Sequence, residues 1–197
     1  MARLSEEERQ VLLRLAREAL EHSVHGRKLP PLDWDSLPPR LKEPGATFVT
    51  LTKNGRLRGC IGALEAHQPL AEDVREHAIA AALHDPRFPP VTPDELDDIR
   101  LEVSYLTPPE PLPYERPEDL LRRLRPHVDG VVLSDGWRKA TFLPQVWDQL
   151  PTPATFLSHL CLKMGAPADC WLTQPLQVWT YQVEKFHEPG FREEQTT

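Results

Sequence analysis

Asn54-Gly55 places the tightest local limit on this chain, because both residues tolerate positive φ and favour a two-residue β-turn. The run Thr47 to Thr52 before it is rich in β-branched residues, and Leu57 to Leu64 after it can return as the partner strand. A two-residue hairpin predicts Lys53 opposite Arg56, Leu51 opposite Arg58 and Val49 opposite Cys60.

Helical signals flank this hairpin. Ser5 and Glu8 form a capping box, and Val11, Leu12, Leu15, Ala16, Ala19 and Leu20 follow at helical spacing, predicting a helix over about 5–24. Residues 26–45 hold five prolines and read as a wrapping connection that Trp34 and Leu37 pin to the core. Pro69 starts a second helix through Leu70, Val74, Ala78, Ala81 and Ala82, which Asp85-Pro86 ends.

Further on, Ile99, Leu101, Val103 and Tyr105 alternate with Arg100, Glu102 and Ser104, predicting a strand with one buried and one polar face. A proline-rich bridge near 108–117 precedes a short helix carrying Leu120, Leu121 and Leu124 inward. Residues 131–143 read as a second hairpin turning at Asp135-Gly136, with Trp137 in its returning strand. Residues 144–150 and 153–164 read as helical, and 176–186 as one final strand. Hairpins mixed with separated helices favour an α+β fold of antiparallel sheets with flanking helices over a repeating β-α-β sheet. A chain of 197 residues with 40% hydrophobic content fits one unit, arranged as two lobes about the proline-rich bridge.

Composition narrows the function classes. A formal net charge of −7 opposes nonspecific attraction to phosphate backbones, so nucleic acid is not the expected partner. The charged first thirty residues do not read as a secretory signal, and the longest apolar run, 78–83, is too short to span a bilayer. Cys60, Cys161 and Cys170 cannot all pair within one chain and form no Cys-x-x-Cys or Cys-x-x-His pattern, so a reducing, cytoplasmic compartment is the expectation. Seventeen arginines against six lysines and a single asparagine also suit a heat-adapted organism.

The chemistry-bearing segment is Arg58-Gly59-Cys60-Ile61-Gly62. Two glycines inside a strand forgo packing and mark a bulge, which would shift the register by one residue, or a close approach by a ligand or another backbone. Arg58 and Cys60 are expected on one face, where a guanidinium favours thiolate and makes Cys60 a candidate nucleophile. The competing reading is a free cysteine serving as a small buried hydrophobe. Asp85 and Arg87 lie in a proline-restricted loop that can aim both side chains at this strand, since the helix from Pro69 packs back on the hairpin. His67, His77 and His84 lie nearby in sequence and read as solvated or structural. His22, His25 and Asp97-Asp98 supply no three-ligand spacing, so no metal site is expected. No phosphate loop, Gly-x-Ser-x-Gly elbow or redox pair occurs, and no cofactor is expected.

The segments 57–62, 85–90, 101–106 and Thr141-Phe142-Leu143-Pro144-Gln145-Val146-Trp147 together resemble the AMMECR family over about 5–186. The family is named for the candidate protein of a human syndrome of Alport features, midface hypoplasia and elliptocytosis; prokaryotic members are called AmmeMemoRadiSam system protein A. The resemblance implies an α+β fold of two lobes, no established activity, and association with a Memo-like protein and a radical S-adenosylmethionine protein. It carries a family site to Arg58, Gly59, Cys60, Ile61 and Gly62. The leading expectation is a binding or accessory protein acting through a cleft at these residues with Asp85 and Arg87, on a partner protein or a small-molecule ligand. The alternative is an enzyme that uses Cys60 as nucleophile, with Arg58 stabilising negative charge.

Overall fold

The computed structural model describes residues 3–191. The chain has an α+β fold with two antiparallel sheets, and divides into two compact units: Met1–Leu106 with Glu184–Thr197, and Thr107–Val183.

The first unit opens with α1 (Glu6–Val24), whose capping box joins Ser5 N–H to Glu8 Oε2 at 2.7 Å and Glu8 N–H to Ser5 Oγ at 3.2 Å. Leu12, Leu13, Ala16, Ala19 and Leu20 form its buried stripe. In the connection that follows, Leu37 and Leu41 reach the core, whereas Trp34 stays outside it, 38% exposed. Next come β1 (Pro44–Lys53), β2 (Arg56–Gly62), the short β3 (Gln68–Pro69), α2 (Leu70–Leu83) and β4 (Ile99–Leu106).

Asn54 (φ 52°) and Gly55 (φ 85°) form the turn with both central residues left-handed, and Lys53 opposes Arg56 as expected. The expected register then fails. A bulge opposite Leu51/Thr52 leaves Arg58 as an extra residue, so that Leu51 opposes Gly59, Thr50 opposes Cys60 and Phe48 opposes Gly62. A turn fixes only the pairs beside it. The bulge coincides with long-range demands: α2 lies against Gly59, and a distant carboxylate takes the Arg58 side chain.

Strand β4 lies between β1 and β9, and its polar face is buried as well, with Glu102 and Ser104 nearly closed to solvent. Lys185 stands 3.4 Å from the Glu102 carboxylate. On the other face, Val49, Leu51, Ile99, Leu101 and Val103 pack with α1 and α2 in one core.

The second unit holds β5 (Glu110–Pro111), α3 (Pro117–Arg123), β6 (Gly130–Ser134), β7 (Lys139–Phe142), α4 (Pro153–Lys163), α5 (Cys170–Thr173) and β8 (Gln177–Tyr181). Its sheet runs β5-β8-β6-β7. Trp147 and Phe156 stack with centroids 3.8 Å apart at the centre of its core, and the Trp147 indole donates to Asp129 O at 2.7 Å. One expectation needs correction. Trp137 belongs to the turn and is 98% exposed, because β7 begins only at Lys139. Cys161 and Cys170 form a buried disulfide, Cα atoms 6.1 Å apart, since α4 and α5 bring together two cysteines that share no sequence motif.

The last strand is β9 (Val183–His187), which completes the first sheet in the order β2-β1-β4-β9, with β3 paired to β1. The run 176–186 is therefore two strands of two different sheets, not one. The break is at Gln182, whose backbone N–H donates to Thr107 Oγ1 at 2.9 Å and whose side chain donates to Asp129 at 3.0 Å.

Candidate functional site

Strand alternation assigns each residue of the Arg58–Gly62 segment a side. Ile61 packs on the core shared with α1 and α2, and a Cβ at Gly59 would overlap the Ala81 carbonyl oxygen of α2. Gly59 and Ile61 thus face the helices, and Cys60 faces away from them. The close approach that the glycines signal is by backbone and packing. At Gly59 it is the α2 main chain, and at Gly62 it is Thr47 O and Phe48.

Arg58, freed by the bulge, turns to Glu95 in place of the Cys60 thiol. Its Nη2 and Nε donate to the two Glu95 oxygens at 2.9 and 3.1 Å, and Nη1 donates to Pro89 O at 2.9 Å. Glu95 also accepts from Lys53 Nζ at 3.0 Å and from Thr92 N–H at 3.0 Å. The Arg58 guanidinium, followed by the Thr92 and Lys53 donors, holds this carboxyl well below the usual range against the opposing effect of burial. Glu95 escaped the sequence reading, although Thr92-Pro93-Asp94-Glu95 has the capping-box spacing that could have singled it out.

Asp85 and Arg87 do meet the strand, at its main chain. Asp85 Oδ2 accepts the Cys60 N–H at 2.8 Å, and Arg87 Nη2 donates to Cys60 O at 3.1 Å. Between themselves they form a fork: Arg87 Nη2 to Asp85 Oδ2 at 2.6 Å and Nε to Oδ1 at 2.9 Å. The Arg87 side chain, then the N–H groups of Cys60 and Arg87, drive the Asp85 carboxyl far below its ordinary value; Asp85 in turn raises Arg87, with a smaller contribution from Cys60. Since β2 is an edge strand, the pair supplies one acceptor and one donor where a neighbouring strand would have done so.

The Cys60 thiol is half-buried and free, and Thr50 Oγ1 donates to its sulfur at 3.3 Å. Of the nearby histidines, His77 is tied to buried Asp73 at 3.1 Å beside Thr47, on the helix face of the sheet and away from the thiol. His67 and His84 are exposed. Among the described residues no group of three or more His, Cys, Asp or Glu side chains is arranged to hold a metal ion, and no helix is long and apolar enough to cross a membrane.

With this geometry in place, comparison with known proteins adds kinship. The AMMECR1 family model matches residues 13–186. A protein of Methanothermobacter thermautotrophicus is 45% identical over 96% of this chain and 98% of its own length, and one of Thermofilum pendens is 42% identical over 95% and 93%. Among solved structures, the uncharacterized protein PH0010 from Pyrococcus horikoshii matches with a TM-score of 0.73 and 37% identity, covering 94% of each chain.

Proposed function

The chain belongs to the AMMECR1 family, and from that premise and the surroundings of Cys60 we propose that it is a binding or accessory protein whose recognition element is the clamped β2 edge. One observation carries this reading. The charged side chains around Cys60 are spent on shape: Arg58 on Glu95, and Asp85 and Arg87 on each other and on the Cys60 main chain. What stays open to a partner is the outer side of Arg87, whose side chain is 53% exposed, beside a half-buried thiol. A preorganised surface of this kind suits docking, because little ordering is left to do on contact.

The partners we propose are the Memo-like and radical S-adenosylmethionine proteins associated with prokaryotic relatives, met in the cytoplasm. Purified versions of both, from the same genome, test this directly against the wild-type chain and Arg87→Ala. Binding to at least one, weakened about tenfold or more in the variant, is expected. Failure of both proteins to bind the wild-type chain rejects the reading.

A second reading, in which Cys60 is a nucleophile toward a small electrophile, draws support from the Thr50 hydroxyl donated to Sγ and the guanidinium of Arg87 close by. Alkylation by iodoacetamide decides it. A rate above that of free cysteine, reduced in Thr50→Val, favours the nucleophile; a slow rate unaffected by Thr50→Val removes it.

A further inference from the structure

In the second unit, the turn from β6 to β7 spends five hydrogen bonds on presenting one side chain to solvent. Ser134 Oγ accepts Gly136 N–H at 3.0 Å, and the Asp135 carboxylate accepts the N–H groups of Trp137 and Arg138 at 3.0 and 2.7 Å. Arg138 Nε closes on the same carboxylate at 2.8 Å, and its Nη1 donates to Gly165 O, fastening the tip to the end of α4. Gly136, at φ 93°, takes the backbone angle that this geometry needs. The product is a rigid tip carrying an indole that packs on nothing.

Single exposed apolar residues are ordinary, but a tryptophan left open on a rigid tip is the residue type that dominates protein interfaces. Three more large apolar side chains of this unit are exposed: Leu162 near the α4 end to which the tip is fastened (56%), Leu172 on α5, and Val128 before β6. At the tip itself the polar groups offered to solvent are donors. The Trp137 indole N–H faces solvent, and Lys163 Nζ caps Thr141 O on β7 at 2.8 Å, while the one carboxylate at the tip, Asp135, is consumed by Trp137 and Arg138.

From this complementarity we infer that the Trp137 turn is a second docking element, independent of the β2 edge, and that it seats in an apolar pocket with carboxylates at its rim on a partner protein. The rigid tip supplies the anchor, and the acidic rim supplies acceptors for the indole N–H and the lysine.

The experiment places photoreactive benzoylphenylalanine at position 137 of the full chain and, as control, at exposed position 34 in the first unit, off the β2 edge. Both are irradiated in extract of the native cells, and the cross-linked peptides are sequenced. The expected product is specific to position 137: one peptide of one protein, whose adduct site is apolar and flanked by Asp or Glu. That protein, then purified, should bind the wild-type chain at least about tenfold more tightly than Trp137→Ala or Lys163→Glu, with both variants melting as wild type does. Adducts to the chain's own peptides, indicating a second copy, or to lipid overturn the proposal. So do adducts scattered equally from positions 137 and 34, no adduct at all, or a purified partner indifferent to both substitutions.

Discussion

Asp85 Oδ2 accepts the Cys60 amide N–H at 2.8 Å, so a side chain just beyond the end of α2 occupies a hydrogen-bonding position on the open edge of β2. Helix and strand are thereby fixed to each other at the residue that carries the free thiol.

Asp85→Ala should therefore cost about 2–3 kcal/mol, because it strands the Cys60 N–H and releases Arg87 from its charge-assisted partner. Asp85→Asn, which keeps an acceptor for the amide, should cost less. Denaturant titration of the two variants checks both size and order.

Acid should loosen the same region. Asp85 and Glu95 have ordinary values of 3.8 and 4.5, and both lie well below them in the folded chain. The unfolded chain then binds more protons at low pH, so their contribution is complete above about pH 5–6 and drains away as pH falls through the ordinary values toward the folded ones. Asp119 and Asp135, each held at about 2, first by the Arg116 and Arg138 backbone N–H groups respectively, act in the same direction. Melting temperature measured from pH 6 to pH 3 should fall for wild type and fall less steeply for the Asp85→Asn/Glu95→Gln double variant.

At Gly59 even a methyl group is too large. Gly59→Ala would drive Cβ into the Ala81 carbonyl oxygen, and separation of α2 from β2 should cost about 1–3 kcal/mol. Gly59→Val should be worse despite its better strand propensity. Thermal melts without any partner present are sufficient, and an Ala variant as stable as wild type would show that α2 yields easily.

The disulfide predicts a thiol count. Native protein should expose one reactive thiol, Cys60, and adding dithiothreitol without denaturant should leave that number unchanged, because Cys161 and Cys170 are both fully buried. Reductant with denaturant should give three. Replacing both with alanine should cost about 2–3 kcal/mol, the range expected for closing a short loop.

What the sequence made legible was local. The Ser5/Glu8 cap, the Asn54-Gly55 turn and the helix after Pro69 are each written within a few neighbouring residues, and each appears where expected. That a bulge falls at Arg58 was illegible because its partner Glu95 is 37 residues away, and no turn rule reaches that far. The burial of Glu102 was not legible because alternation reports the polarity of a face and not what the folded chain lays over it. The passage from β8 to β9 hides for a related reason: hydrophobic alternation continues through Gln182 although the chain changes sheets there. For the site, proximity of Asp85 and Arg87 to Cys60 followed from helix length and packing. That they grip its main chain, leaving the thiol to Thr50, required coordinates.

The order of the strands also sets a timetable for synthesis. Because β9 is made after every residue of the second unit, a ribosome that has just released residue 106 holds a first sheet still lacking its β4-side neighbour, and the second unit is complete before that neighbour emerges. The nascent chain thus carries an unprotected β4 edge for the time needed to translate about 77 residues, on the order of 4–15 s at ordinary elongation rates. Thr107 N–H donates to Gln182 O at 2.9 Å, so the chain leaves the second unit beside the point where it entered, and the late strand is delivered close to its place.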